Sequence, residues 1–190
     1  MRGYKFTYDN LNRLVNSNYA EGNTLITNPG YYSERIAEYD KNGNIKKLRR
    51  KAGNIMVDSL NYTYPTKSNK ISTITDYGSA TTEIDDYPGT SQTYTYDSNG
   101  NMTYDGAKHL NIYYINTLNL PIEIEHPSTD NKLFYHYTTG GIKLMKHFDP
   151  APGYGIETTT HYIGNIVYEG GKVSYITTDE GRLIPFGTGT

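Results

Sequence analysis

One pattern recurs along this chain and leaves it few ways to fold. A short alternating run ends in tyrosine. Aspartate follows, then a glycine or asparagine three residues on, then a fresh apolar run. Tyr8 leads into Asp9-Asn10-Leu11-Asn12 and Arg13-Leu14. Tyr39 leads into Asp40-Lys41-Asn42-Gly43 and Asn44-Ile45, and Tyr96 into Asp97-Ser98-Asn99-Gly100 and Asn101-Met102. The aspartate can accept backbone N–H groups ahead of it and form an Asx-turn. Gly43, Gly100 and Asn12 stand where a bulged hairpin turn needs a left-handed backbone. Before each turn, side chains alternate with the period of a half-buried strand: Tyr4, Phe6 and Tyr8 on one face, Lys5 and Thr7 on the other. Gln92-Tyr94-Tyr96 and Leu133-Tyr135-Tyr137 repeat that alternation. No stretch carries a clean helical stripe.

Degenerate copies fill the rest of the chain. Tyr64-Pro65 reaches Asn69-Lys70-Ile71 with one extra residue, and Ile115 to Pro121 keeps the turn through Asn119 with isoleucine in the tyrosine slot. Tyr137 leads to Gly140-Gly141-Ile142 with Thr138 in place of aspartate, and Gly181-Arg182-Leu183 closes the series. Glu169-Gly170-Gly171-Lys172 reads as a further hairpin turn. These make about eight units of roughly 24 residues, a period typical of repeat arrays. A lone hairpin is marginal in water, so the units must share a face with their neighbours. The expectation is an all-β fold of antiparallel hairpins stacked into a curved, twisted sheet. It forms one array over 4–184, followed by a flexible tail over 185–190. Composition agrees: Tyr is 21 of 190 residues while Phe is 4 and Trp is 0, so tyrosine supplies the apolar surface.

The Tyr-Asp-x-x-Gly units resemble the YD repeats of the Rhs family of large bacterial surface and secreted proteins. Three matches carry the resemblance best: Tyr94 to Met102, Tyr39 to Ile45, and Tyr4 to Leu14. The stretch Gly100 to Gly106 with Leu118-Asn119-Leu120-Pro121, and the run His161 to Ile184, add to it. The resemblance implies a β-sheet ribbon spiralling into a shell that, in polymorphic toxins, encloses a C-terminal toxic domain. It makes this chain a partial turn of such a shell, without the Rhs core or a toxin. Its implied partners are flanking YD repeats and the Rhs core of a longer parent protein at the bacterial cell surface or secreted. Exposed sheet edges make edge-strand self-association a further expectation.

Other chemistry finds little footing. Cys is absent, so there is no thiolate nucleophile and no Cys-ligated metal. Lys plus Arg total 18 against 20 for Asp plus Glu, which gives no general attraction to nucleic acid. No apolar run is long enough for a membrane span, and Met1-Arg2-Gly3 leads straight into a strand with no signal-peptide core. Asp40 and Asp97 each open a run like the start of a calcium loop. Position 12 then falls on Lys51 and Lys108, where the bidentate glutamate is needed. The five histidines lack zinc spacing. Glu123 and Glu125 alternate with Ile122 and Ile124 as on any strand with one wet face. No enzyme, metal or cofactor is expected. The one basic run, Lys46-Lys47-Leu48-Arg49-Arg50-Lys51, should split between the two faces of a return strand.

Two roles remain for the tyrosines. Tyr8, Tyr39, Tyr64, Tyr96 and Tyr137 recur with the turn and are read as structural, together with Asp9, Asp40, Gly43, Asp97, Gly100, Asn119, Gly141 and Gly181. Tyr31, Tyr32, Tyr77, Tyr87 and Tyr154 fall near Gly or Pro in expected loops and are the candidates for stacking on glycans. The sequence thus favours a non-enzymatic wall segment, with a carbohydrate-binding module as the alternative.

Overall fold

The computed structural model describes residues 1–79, 84 and 86–186. The fold is all-β, with every strand antiparallel to its neighbours and no helix among the described residues. Two compact units are present. The first holds Met1–Thr95 with Gly106–Lys108, and the second holds Tyr96–Asp105 with the residues from His109 onward. Of the expected tail, Pro185 and Phe186 are irregular chain, and 187–190 lie outside the described residues.

The first unit carries β1 (Arg2–Tyr8), β2 (Leu14–Glu21), β3 (Glu34–Tyr39), β4 (Ile45–Ala52), β5 (Ile55–Thr63), β6 (Thr73–Asp76) and β7 (Ser91–Tyr96, which reaches the boundary). Their order in the sheet is their order in the chain. Each tyrosine-ended strand pairs with the return strand its turn launches: Tyr8 faces Leu14 and Tyr39 faces Ile45, each across a bulge. A core runs along one face of this sheet through Tyr19, Ile36, Leu60 and Ile74, all under a tenth exposed. At the β4–β5 hairpin, Ala52 and Val57 are sealed completely. β1 pairs only with β2, so Tyr4, Phe6 and Tyr8 stay about half exposed.

The second unit carries β8 (Met102–Asp105), β9 (Leu110–Ile115), β10 (Leu120–His126), β11 (Asn131–Tyr137), β12 (Lys143–Asp149), β13 (Thr158–Ile163), β14 (Ile166–Glu169), β15 (Lys172–Thr178) and β16 (Gly181–Leu183), again in chain order. Among its described residues only Val167 and Thr160 fall below a tenth exposed. Strands β8 to β11 are half-buried at nearly every residue, whereas β13 and β16 are more exposed.

Two glycines in the first unit sit where the chain passes over another backbone. A β-carbon on Gly78 would stand 1.9 Å from the Val57 carbonyl oxygen, and one on Gly106 would stand 2.4 Å from that of Thr93. Backbone cannot yield as a flexible side chain can. Gly78→Ala and Gly106→Ala are each expected to cost about 2 kcal/mol, the scale of overpacking. Gly43→Ala serves as the control with open space around it, where strain arises only from its φ of 89°. Urea midpoints of the three variants check this ordering.

Candidate functional site

The recurring turn is a closed hydrogen-bond box. In the Asp40 turn, Oδ1 accepts the N–H of Asn42 at 2.8 Å and of Asn44 at 2.9 Å, while Oδ2 accepts Asn44 Nδ2 at 2.8 Å. The Asp40 N–H donates to the Asn44 carbonyl and the Gly43 N–H to the Asp40 carbonyl. Asp97 repeats the box with Asn101 and Gly100, and Asp9 repeats it with Arg13, whose Nε takes the place of the amide at 2.7 Å. At Tyr137 the hydroxyl of Thr138 replaces the carboxylate and accepts the Ile142 N–H. Gly43, Gly100 and Gly141 have φ of 89°, 94° and 82°, and Asn12 and Asn119 reach 58° and 55°. Gly181, with φ of 144°, opens β16.

These bonds hold the turn aspartates below the ordinary carboxylate range. The first cause is the Asn44 side-chain amide for Asp40, the Asn101 amide for Asp97 and the Arg13 backbone N–H for Asp9. A carboxyl depressed by folding adds stability above its unfolded value, and that stability is lost as pH falls through the lower folded value. The urea midpoint is therefore expected to drop as pH falls below the ordinary aspartate value of 3.8. An Asp40→Asn, Asp97→Asn pair should be weaker at pH 7 and show a flatter acid limb. An unchanged acid limb would refute the box as its source.

Neighbouring turns are stitched together by two further sets of bonds. The Tyr39 hydroxyl donates to the Leu14 carbonyl at 2.7 Å, Tyr64 to Ile45 at 2.9 Å, Tyr114 to Met102 at 3.1 Å and Tyr137 to Pro121 at 3.0 Å. Leu14, Ile45 and Met102 open the return strand of the preceding repeat, and Pro121 is the second residue of β10. The Arg13 guanidinium also lies 4.3 Å from the Tyr39 ring centre, and Lys46 lies 5.8 Å from that of Tyr64. The second set joins turn to turn. Asn42 and Asn44 both donate to Asn69 Oδ1, and Asn99 and Asn101 both donate to Asn119 Oδ1. Here the structure corrects one sequence expectation. The tyrosine slot assigned to Ile115 is filled by Tyr114, which faces Pro121, because the turn holds one more residue.

The remaining sequence candidates are placed as follows. Tyr8 is exposed on β1 and Tyr96 is half-buried at the end of β7. Among the proposed glycan contacts, Tyr32 packs edge-on against Tyr19 with ring centres 5.1 Å apart. Tyr87 shares a 2.6 Å hydroxyl–hydroxyl bond with Tyr94, and Tyr31 is half-buried. Tyr77 and Tyr154 are exposed at 67% and 62%. The basic run divides as β4 requires, with Leu48 and Arg50 on the Ile36 face and Lys47 and Arg49 on the other.

Sequence reasoning missed one cluster. The carboxylates of Asp58, Asp76 and Asp86 converge within 4.8 Å in the first unit, a grouping of the kind that could hold a metal ion. Three of these oxygens already serve the fold, while Asp86 Oδ1 is buried without a hydrogen-bond partner. Asp58, 1% exposed, accepts Arg50 Nε and the Tyr87 N–H. Asp76 Oδ1 accepts the N–H groups of Ser59 and Gly78 at 2.7 and 2.8 Å. Asp86 is pushed up first by burial and then by the Asp58 and Asp76 charges. The cluster ties Asp76 and Tyr87 to β5.

No family model matches the chain, and no curated protein does. Among the solved structures that match, two show the likeness. One is TcdB2-TccC3 without its hypervariable C-terminal region, at 13% identity and a TM-score of 0.37 over 97% of this chain. The other is the Photorhabdus luminescens Tc holotoxin pore with a TccC3 mutation, at 16% identity and a TM-score of 0.40 over 97% of this chain. This chain spans 12% of the length of each. At TM-scores this low the matches assign no family. No helix among the described residues is long and apolar enough to cross a membrane.

Proposed function

We infer that this chain is a structural, non-enzymatic wall segment of the YD-repeat type, part of a longer bacterial surface or secreted protein. Flanking repeats continue its sheet edges in that parent. The observation that carries this reading is the stitch. Four tyrosine hydroxyls, 25, 19, 12 and 16 residues away from their acceptors, each reach a carbonyl at the first or second residue of the preceding return strand. A bond repeated at equivalent positions fastens one repeat to the next. It leaves those tyrosines without a free hydroxyl donor for a ligand. The half-buried faces of β8 to β11 fit a wall that other segments line or enclose.

An array fastened by neighbour contacts loses stability locally when one contact is cut. In Tyr137→Phe, hydrogen exchange is expected to quicken in β10 and β11 while β14 and β15 keep their protection. Uniform loss across all strands of the second unit would overturn the repeat reading, as would no change at β10 and β11. Carbohydrate contact is the second reading, supported by the exposure of Tyr77 and Tyr154. A glycan array that stays silent for the wild-type chain would end it.

A further inference from the structure

A groove of about 290 Å³ opens on the face of the first unit opposite the Ile36–Leu60 core, where β2 to β5 run side by side. Its ionisable lining is Arg35, Arg49, Lys51 and Glu34, with Asn16 and Asn18 beside them. Three cations thus meet one carboxylate. Arg35 and Arg49 are direct cross-strand partners in the β3–β4 pairing. Like charges placed directly opposite on a sheet repel and destabilise it. The same hairpin face shows the ordinary solution one pair further along, where Glu38 faces Lys47 and bridges it at 2.5 Å. The charge that would neutralise Arg35 could not come from Asp58, which lies on the other face with Arg50.

Arg49 is already fixed in place. Its guanidinium donates to the Leu48 and Leu60 carbonyls at 2.9 Å each and to Asn61 Oδ1 at 3.3 Å. Among the described residues, Arg35 and Lys51 take part in no ion pair. A held guanidinium, two uncommitted cations and the amides of Asn16 and Asn18 around one cavity are the parts of an oxyanion site.

We propose that this groove binds a single oxyanion group, either a free tetrahedral anion or the carboxylate of an acidic sugar, between Arg35, Arg49 and Lys51. The unfavourable Arg35–Arg49 pairing is the cost of the empty site, and the anion relieves it. The test is calorimetric titration of the whole chain at constant ionic strength with sodium sulfate, with glucuronate and with neutral glucose. Saturable binding of sulfate or glucuronate is expected, and the better of the two identifies the source of the anion. Arg35→Gln and Lys51→Gln should each weaken it about tenfold, the loss of one charge-assisted hydrogen bond. Arg35→Gln should also raise the ligand-free thermal midpoint, so that loss of binding cannot be mistaken for loss of folding. Failure of both anions to bind saturably, glucose binding as well as glucuronate, or unchanged affinity in both variants overturns the proposal.

Discussion

Replacing Asp58 with alanine is expected to destabilise the chain by about 3 kcal/mol, the scale of breaking a buried ion pair by removing one partner. The side chain is 1% exposed and serves two donors, Arg50 Nε and the Tyr87 N–H. Alanine leaves the Tyr87 amide without its acceptor and the Arg50 charge without its carboxylate. Relief of repulsion from Asp76 and Asp86 offsets part of that loss. Asp58→Asn should lose less, because its amide oxygen still accepts the Tyr87 N–H. Asp86→Asn should move the other way. Folding holds that carboxyl above its ordinary value, so the stability it contributes is full below the ordinary value and fades as pH rises through the raised one. The amide should therefore raise the urea midpoint at pH 7 and leave it unchanged at pH 3. An Asp58→Ala midpoint near wild type, or a lower Asp86→Asn midpoint at pH 7, would show that the cluster does not tie Asp76 and Tyr87 to β5.

The turns were legible in the sequence because all their partners lie within four residues. Asp9, Asp40 and Asp97 meet the groups that their spacing predicts, and Thr138 shows that a hydroxyl can stand in. The tyrosine slots were legible as positions, but their acceptors were not, since Tyr39 reaches a carbonyl 25 residues back. One extra turn residue hid Tyr114 behind Ile115. The turn-to-turn asparagines could have been found: an amide recurs five residues after the slot at Asn44, Asn69, Asn101 and, counted from Tyr114, Asn119. Asp58 could not. In Met56-Val57-Asp58-Ser59-Leu60 it reads as a polar residue in an ordinary strand. Burial comes from Arg50 across the sheet and from the chain around Tyr87, which is 29 residues ahead. Local chemistry survives in a single sequence, whereas burial produced by a crossing segment does not.

Tyr39→Ala should cost about 3 kcal/mol, near the lower end for deleting a large aromatic side chain, because the ring is half-buried rather than sealed. Three contacts go at once: ring packing, the Arg13 guanidinium 4.3 Å from the ring centre, and the hydroxyl bond to the Leu14 carbonyl. Tyr39→Phe separates them. It keeps the ring and the cation contact and removes only the 2.7 Å bond, for which about 1 kcal/mol is the usual net contribution. Tyr8→Phe is the internal control. Tyr8 holds the same place in its repeat but is 59% exposed, and a surface change of that kind stays within about 0.5 kcal/mol. If the tyrosine mattered mainly for its own hairpin, Tyr8→Phe and Tyr39→Phe would behave alike. If it fastens one repeat to the one before it, only Tyr39→Phe is felt. Chemical denaturation of the two phenylalanine variants therefore separates a turn residue from a stitch between repeats.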